Sequence, residues 1–170
     1  SLQMDKRDRA FMPTSGSIAS FTQGLPVYAD QPSLYNRLTY SKYHGFSDDV
    51  IGVAKFYAAT VTALDEDVRL SKRINLPSKR LRGFEANKIG PVDQGDYVGG
   101  NYATALNFEA QLPNLLPEAT QTDVAAFLDL GNLWSVDYDS SAGSSSKLRS
   151  SLGVTTQLYT PIGPVNFVLA

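Results

Sequence analysis

The feature of this sequence that most limits its fold is an alternation of apolar and polar residues. From residue 102 to 112, the even positions carry Tyr, Thr, Leu, Phe, Ala and Leu, whereas the odd positions carry Ala, Ala, Asn, Glu and Gln. Residues 123–134 and 148–160 follow the same pattern. Successive side chains of a β-strand point to opposite faces, so each segment predicts a strand with one apolar face and one polar or small face.

Weaker alternation, bounded by turn residues, predicts further strands in the rest of the chain. The predicted fold is all-β, an antiparallel up-and-down meander of about seven strands, at residues 17–25, 33–43, 49–63, 102–112, 123–134, 148–160 and 164–170. No segment has a convincing helical period. No apolar run approaches the ~20 residues that a transmembrane helix needs.

The connections between these strands differ in length. Short connections at 112–123 and 161–164 alternate with long ones at 64–101 and 131–148. Outer-membrane barrels have short turns at one end and long loops at the other, so this asymmetry favours a barrel.

Aromatic residues near predicted strand ends point the same way. Trp134 and Tyr159 stand where an interfacial aromatic girdle would require them. A soluble β-sandwich binding module remains open at this point, because it also alternates apolar and polar residues. It predicts an apolar core between two sheets, containing Leu106, Phe108, Leu128 and Leu130.

Composition excludes several kinds of site. The net charge is −2 and no basic helix is present, which argues against a nucleic-acid partner. The chain has no Cys and a single histidine, His44, so neither a disulfide nor a zinc site is expected. His44 is interpreted as a surface histidine, and the acidic run at 65–67 as a solvated loop. No cofactor is expected.

A more specific signal lies inside the long basic connection. Leu81-Arg82-Gly83-Phe84 resembles the Arg-Gly-Phe motif at the tip of the loop that folds back into the barrel in the Omp85 superfamily. The surrounding segments match in order and spacing over nearly the whole chain, at 8–16, 89–91, 99–101, 105–113, 127–134, 149–153 and 161–164. Within the superfamily, the chain is most similar to the surface-antigen (D15) type of barrel in its bacterial assembly branch.

This resemblance implies a partial transmembrane β-barrel, about seven strands of a barrel of about sixteen. Residues 1–170 would be a C-terminal piece, with the loop at 64–101 turned inward and with the POTRA modules and the final strand absent. The fragment could not close, and its open strand edges would favour self-association.

The implied function is the folding and insertion of β-barrel proteins into the bacterial outer membrane, and it is not enzymatic. The implied partners are nascent outer-membrane proteins, accessory assembly lipoproteins and outer-membrane lipid. Two rivals within the superfamily stay open, a two-partner-secretion transporter and a translocation-assembly barrel. A general porin is a weaker rival.

The resemblance also implies that Arg82 reaches into the lumen and pairs with Glu109 and Asp129. Both acids sit at odd positions of their strands, opposite the apolar even positions, so a lumen-facing orientation agrees with the alternation. A planar guanidinium can bind carboxylates through two parallel hydrogen bonds. Gly83 would allow close backbone approach, and Phe84 would anchor the loop. Paired catalytic carboxylates are the less favoured interpretation of Glu109 and Asp129.

Overall fold

The computed structural model describes residues 1–25, 32–65, 67–137 and 147–170. These residues form one antiparallel sheet of eight strands, ordered along the sheet as in the sequence, and a small two-stranded hairpin. The strands are β1 (Leu2–Asp5), β2 (Gly16–Gly24), β3 (Ser33–Ser47), β4 (Val50–Ala63), β5 (Val92–Asp93), β6 (Asp96–Tyr97), β7 (Tyr102–Leu112), β8 (Thr122–Trp134), β9 (Arg149–Thr160) and β10 (Gly163–Leu169). The predicted all-β meander is therefore confirmed.

The predicted strand count was one too low for the main sheet, and the two-residue strands β5 and β6 of the small hairpin were not predicted. All seven predicted strands are present, with ends that differ by at most a few residues. The strand of the main sheet that was missed is β1, whose four residues, LQMD, alternate but are too few to distinguish a strand from a chance pattern. It is defined by its pairing with β2, where Leu2 lies opposite Phe21, and that contact is not visible in the local sequence. β1 and β10 are the two edges of the sheet.

The even-numbered face of the central strands is apolar and uncovered. Leu106 and Phe108 on β7 are 41% and 44% exposed, and Leu128 on β8 is 39% exposed. Among the described residues, no second sheet packs on this face. The alternative of a soluble sandwich with these side chains in its core is therefore wrong. An uncovered apolar face of this kind is typical of a barrel wall turned toward lipid.

The predicted aromatic girdle is half correct. Trp134, at the end of β8, lies on the outward face and stacks on Tyr102 with the ring centroids 5.9 Å apart. Tyr159 instead lines the interior, where its hydroxyl donates a 2.9 Å hydrogen bond to Asp123. The prediction for Tyr159 was wrong because its odd position on β9 directs it inward, and nearness to a strand end does not overrule that parity.

The core lies between the inward face of the wall and the connection from β4 to β7. Small residues on the wall, among them Ala59, Ala103 and Ala105, leave room for loop residues Leu76 and Leu81. The cluster also contains Tyr57, Val61, Val68, Ile74, Ile89 and Leu133. The connection thus packs against the inside of the curved sheet. The described helices are single 3-10 turns, none long enough to cross a membrane.

Candidate functional site: an arginine held between two strands

The loop that carries Arg82 is fixed at its base and near its tip. At the base, Ile74 and Gly100 exchange two backbone hydrogen bonds of 2.8 and 3.0 Å. Near the tip, a 3-10 turn at Ser78–Arg80 is followed by Leu81, which is completely buried against the wall. Burial of Leu81 leaves the next residue directed at the inward faces of β7 and β8.

Arg82 contacts both acids that the sequence analysis paired with it. Its Nε donates to Asp129 Oδ2 at 2.7 Å and its Nη2 to Asp129 Oδ1 at 2.6 Å, a bidentate arrangement. Its Nη1 lies 2.9 Å from Glu109 Oε1. A single guanidinium therefore links β7 to β8, and only 12% of its side chain is exposed.

Asp129 is completely buried on β8, and protein groups rather than water donate hydrogen bonds to its carboxylate. Besides the two guanidinium bonds, its oxygens accept the backbone N–H of Arg82 at 3.0 Å and the side-chain amide of Asn107 at 2.8 Å. A buried carboxylate is costly unless its oxygens are paired and hydrogen-bonded, and here that condition is met.

Sequence reasoning missed two members of this cluster, Asn107 and Lys55. Asn107 lies directly opposite Asp129 in the strand register, and its amide also donates to the backbone carbonyl of Arg80 at 2.9 Å. Lys55 on β4 donates to Glu109 at 2.9 Å. Both occupy inward odd positions, and Lys55 is the single charged residue of β4, a signal that could have been noticed.

The cluster is electrically balanced. Arg82 and Lys55 carry two positive charges, and Glu109 and Asp129 carry two negative charges. Burial lowers the pKa of Arg82, whereas its hydrogen bonds to Asp129 and the charge of Glu109 raise it, and the net result is a pKa above the ordinary value. The guanidinium therefore stays charged while it is inside the barrel.

The ring of Phe127 packs against the guanidinium of Arg82. It is buried on β8, two residues before Asp129, and the central carbon of the Arg82 guanidinium lies 3.8 Å from the ring centroid. A cation over an aromatic face is attracted by the ring electrons. Arg82 is thus held by two carboxylates and one ring.

The two residues after Arg82 occupy different surroundings. Gly83 has φ +82°, in the left-handed region that favours glycine, and a Cβ there would lie 2.8 Å from the Cβ of Ala170. Phe84 is half-buried and packs against the core cluster that contains Leu81. The loop therefore turns at Gly83 and re-enters apolar surroundings at Phe84.

The other candidates lie away from this cluster. His44 is an exposed residue of β3 and packs edge-on against Phe46. Asp65 and Asp67 are exposed, whereas Glu66 lies outside the described residues. Half of the predicted connection at 131–148 lies outside them as well, since 138–146 are not described.

Comparison with known proteins agrees with this architecture. The family model of the Omp85 superfamily domain matches residues 1–170. The crystal structure of BamA from Haemophilus ducreyi lacking POTRA domains 1–3 superposes with a TM-score of 0.83 at 21% identity, covering 98% of this chain and 36% of that one. At this identity, the likeness concerns the fold.

Two curated relatives have sequences that align with this one. The outer membrane protein assembly factor BamA of Neorickettsia risticii (strain Illinois) is 36% identical over 91 residues, 49% of this chain and 12% of the relative. The sorting and assembly machinery component 50 homolog A of Xenopus laevis is 25% identical over 159 residues, 84% of this chain and 32% of the relative. The aligned part thus spans a third or less of each relative.

Fold and site together define a class of protein: an outer-membrane β-barrel, here an unclosed part of one, with a loop turned into its lumen and bound there by an arginine. The match over all 170 residues then gives the family. The chain belongs to the Omp85 superfamily, and its location is the bacterial outer membrane.

Proposed function

We propose that this chain is the barrel portion of an outer-membrane protein that folds and inserts other β-barrel proteins into the outer membrane. The names of both curated relatives describe assembly, one of outer membrane proteins and one as a component of sorting and assembly machinery. The partners in this proposal are nascent outer-membrane proteins, accessory assembly lipoproteins and outer-membrane lipid. The role is structural, with no enzymatic step and no cofactor.

The observation that carries the proposal is the bidentate contact of Arg82 with the buried Asp129. A protein that receives new strands must open or loosen its wall at one place and keep it rigid elsewhere. Arg82 joins the inward faces of β7 and β8 and ties both to the loop. In this role the loop braces one stretch of wall while an incoming strand pairs with an open edge by β-augmentation.

The brace does not tolerate the loss of one partner, because its charges are buried. Removing one partner of a buried ion pair leaves the other charge uncompensated, at a cost of roughly 3–5 kcal/mol. The double hydrogen bond also fixes the orientation of the loop tip, which a single contact would not do. Arg82→Lys keeps the charge but loses the bidentate hydrogen bonding. It therefore separates the contribution of the charge from that of the hydrogen-bond geometry.

The test is the replacement of Arg82 by Ala and by Lys in the full-length gene. We expect Arg82→Ala to reduce the assembly of outer-membrane proteins severely and Arg82→Lys to reduce it less. The measurements are rescue of a depleted strain and the amount of folded outer-membrane proteins, judged by heat-modifiable migration. Lys88→Ala is the matched control, since Lys88 belongs to the same loop and makes only an exposed contact with Glu85.

Normal assembly with Arg82→Ala, in a strain where the variant barrel itself is folded, would contradict the proposal. A transporter of the same superfamily would behave differently. Its Arg82 variants would lose the export of a dedicated cargo protein, whereas the bulk of outer-membrane proteins would assemble normally.

A further inference from the structure

The outward face of the sheet carries an apolar groove near the ends of β4, β7 and β8. Its cavity volume is about 470 Å³, within the roughly 300–1,000 Å³ of small-ligand sites. The floor consists of small residues: Gly52, Ala110 and Ala126 lie side by side in the strand register, and Ala54 lies two residues from Gly52 along β4, opposite Phe108. The rim consists of large ones, including Phe46, Phe108, Leu128 and Leu152.

The groove belongs to the lipid side of the wall. Most of its lining residues on β4, β7 and β8 share the even parity of Leu106, opposite to the inward parity of Asp129 and Asn107. Glu109 and Phe127 also line it, but their side chains contact Arg82 on the inner face, so the wall lies between the Arg82 cluster and the floor of the groove. Since bilayer tails surround this face, an elongated apolar molecule is the expected occupant of a groove of this shape.

Lys42 gives the groove a charged end. It lies on β3 opposite Ala54, so it points outward at one side of the floor. It also pairs with Ser17, one residue beyond the start of β2, near the end of the sheet that carries the two-residue turn between β3 and β4. Within the described ranges, no carboxylate lies within ion-pair distance of Lys42. A lysine on the lipid face at this height can extend its ammonium toward the headgroup layer.

The short turns lie at the periplasmic end of such barrels, so the groove faces the inner leaflet. An apolar groove with a cation at its headgroup end matches a molecule with a long tail and a negative head. We propose that this groove binds one acyl chain of an anionic phospholipid, whose phosphate is held by Lys42. His44, exposed on the next outward position of β3, completes the polar end.

The test uses the full-length protein in mixed micelles that contain equal amounts of phosphatidylglycerol and phosphatidylcholine. Native mass spectrometry then measures which lipid stays bound as detergent is exchanged. The wild-type protein retains phosphatidylglycerol in preference to phosphatidylcholine. Lys42→Gln lowers that preference about fivefold, the effect expected of one basic residue near a membrane surface. Ala110→Leu fills the floor and lowers the retention of both lipids.

Two matched controls separate the groove from general effects. Lys6→Gln removes a charge at the same end of the barrel, in the exposed turn between β1 and β2. Ala58→Leu adds the same bulk to the outward face of β4, four residues from Ala54 and outside the groove. Both controls leave lipid retention unchanged. If Ala110→Leu fails to fold, Ala126→Leu replaces it.

Three results would overturn the proposal. One is a wild-type protein without preference for phosphatidylglycerol. Another is a preference that Lys42→Gln and Lys6→Gln reduce equally, which would mean a general surface charge. The third is unchanged retention after the floor has been filled, which would mean that the lipid binds elsewhere on the wall.

Discussion

Asp129 illustrates how a barrel wall can keep a carboxylate away from water. Its strand position directs it inward, and Arg82 and Asn107 supply four hydrogen bonds to its two oxygens. The family resemblance, together with the parity of β7 and β8, was enough to predict that Glu109 and Asp129 face the lumen. It was not enough to predict Asn107, because an amide at an inward position has no signature until its cross-strand neighbour is known.

Asn107→Asp tests this cluster at the scale of one residue. The substitution keeps the shape but sets a second carboxylate against Asp129, where Asn107 Nδ2 now lies 2.8 Å from Oδ1. Like charges at this distance in a buried site repel, so we expect the free energy of unfolding to fall by roughly 3–5 kcal/mol. The measurement is urea unfolding of the full-length barrel in detergent.

Asn114→Asp is the control for that prediction. Asn114 also donates a hydrogen bond of 2.8 Å to a carboxylate, that of Asp49. This bond lies in an exposed turn, where water screens the charges. Its replacement should change the unfolding free energy by less than about 1 kcal/mol. Equal effects of the two substitutions would mean that burial does not set the strength of the Arg82 cluster.

At the scale of elements, the strands that the sequence predicted best are those with one face against lipid and one against the loop. β7 and β8 alternate clearly because their two faces have different surroundings, and their predicted bounds were correct to within one residue. β1 was missed because its identity depends on pairing with β2. The internal structure of the β4–β7 connection, with its hairpin and 3-10 turns, has no periodic signal at all.

The inward alanines of β7 allow the loop to pack, and Ala105→Phe tests this. Ala105 is buried in the core cluster together with Leu76 and Leu81. A ring at this position overfills the site at a cost of roughly 1–3 kcal/mol, and we expect the loop tip to be displaced from the wall. Limited trypsin digestion of the full-length protein should then cleave faster after Arg82.

Ala58→Phe adds the same ring to the outward face of β4 and should leave the rate of cleavage after Arg82 unchanged. If Ala105→Phe also leaves it unchanged, the loop is not held by its packing against β7.

At the scale of the whole molecule, the curved sheet encloses the β4–β7 connection, which is longer than any other connection between its strands. The sheet ends in two unpaired edges, β1 and β10, so the expected self-association of the isolated chain stays a prediction. The overall architecture was predictable because an alternating pattern, an asymmetric set of connections and one motif agreed. The way the loop fills the lumen depends on contacts between distant residues, such as Leu81 with β7, which no local pattern encodes.

The central claim is that the loop tip lies inside the barrel against its wall, and a disulfide tests it directly. A Cβ at Gly83 would lie 3.8 Å from the Cβ of Ser151, which pairs with Asp129, and disulfides need about 3.5–4.5 Å. Backbone strain from a cysteine at φ +82° costs about 1–2 kcal/mol, and its Cβ, 2.8 Å from the Cβ of Ala170, requires Ala170 to shift.

The chain contains no cysteine, so the introduced pair is unambiguous within it. The full-length protein with Gly83→Cys and Ser151→Cys should form the disulfide on mild oxidation in the membrane. The pair Gly95→Cys and Ser151→Cys should not, since no described atom lies within 4 Å of a Cβ at Gly95. Efficient linkage of the first pair alone is the predicted result. No linkage of that pair, or equal linkage of both, would contradict a loop tip seated against β9.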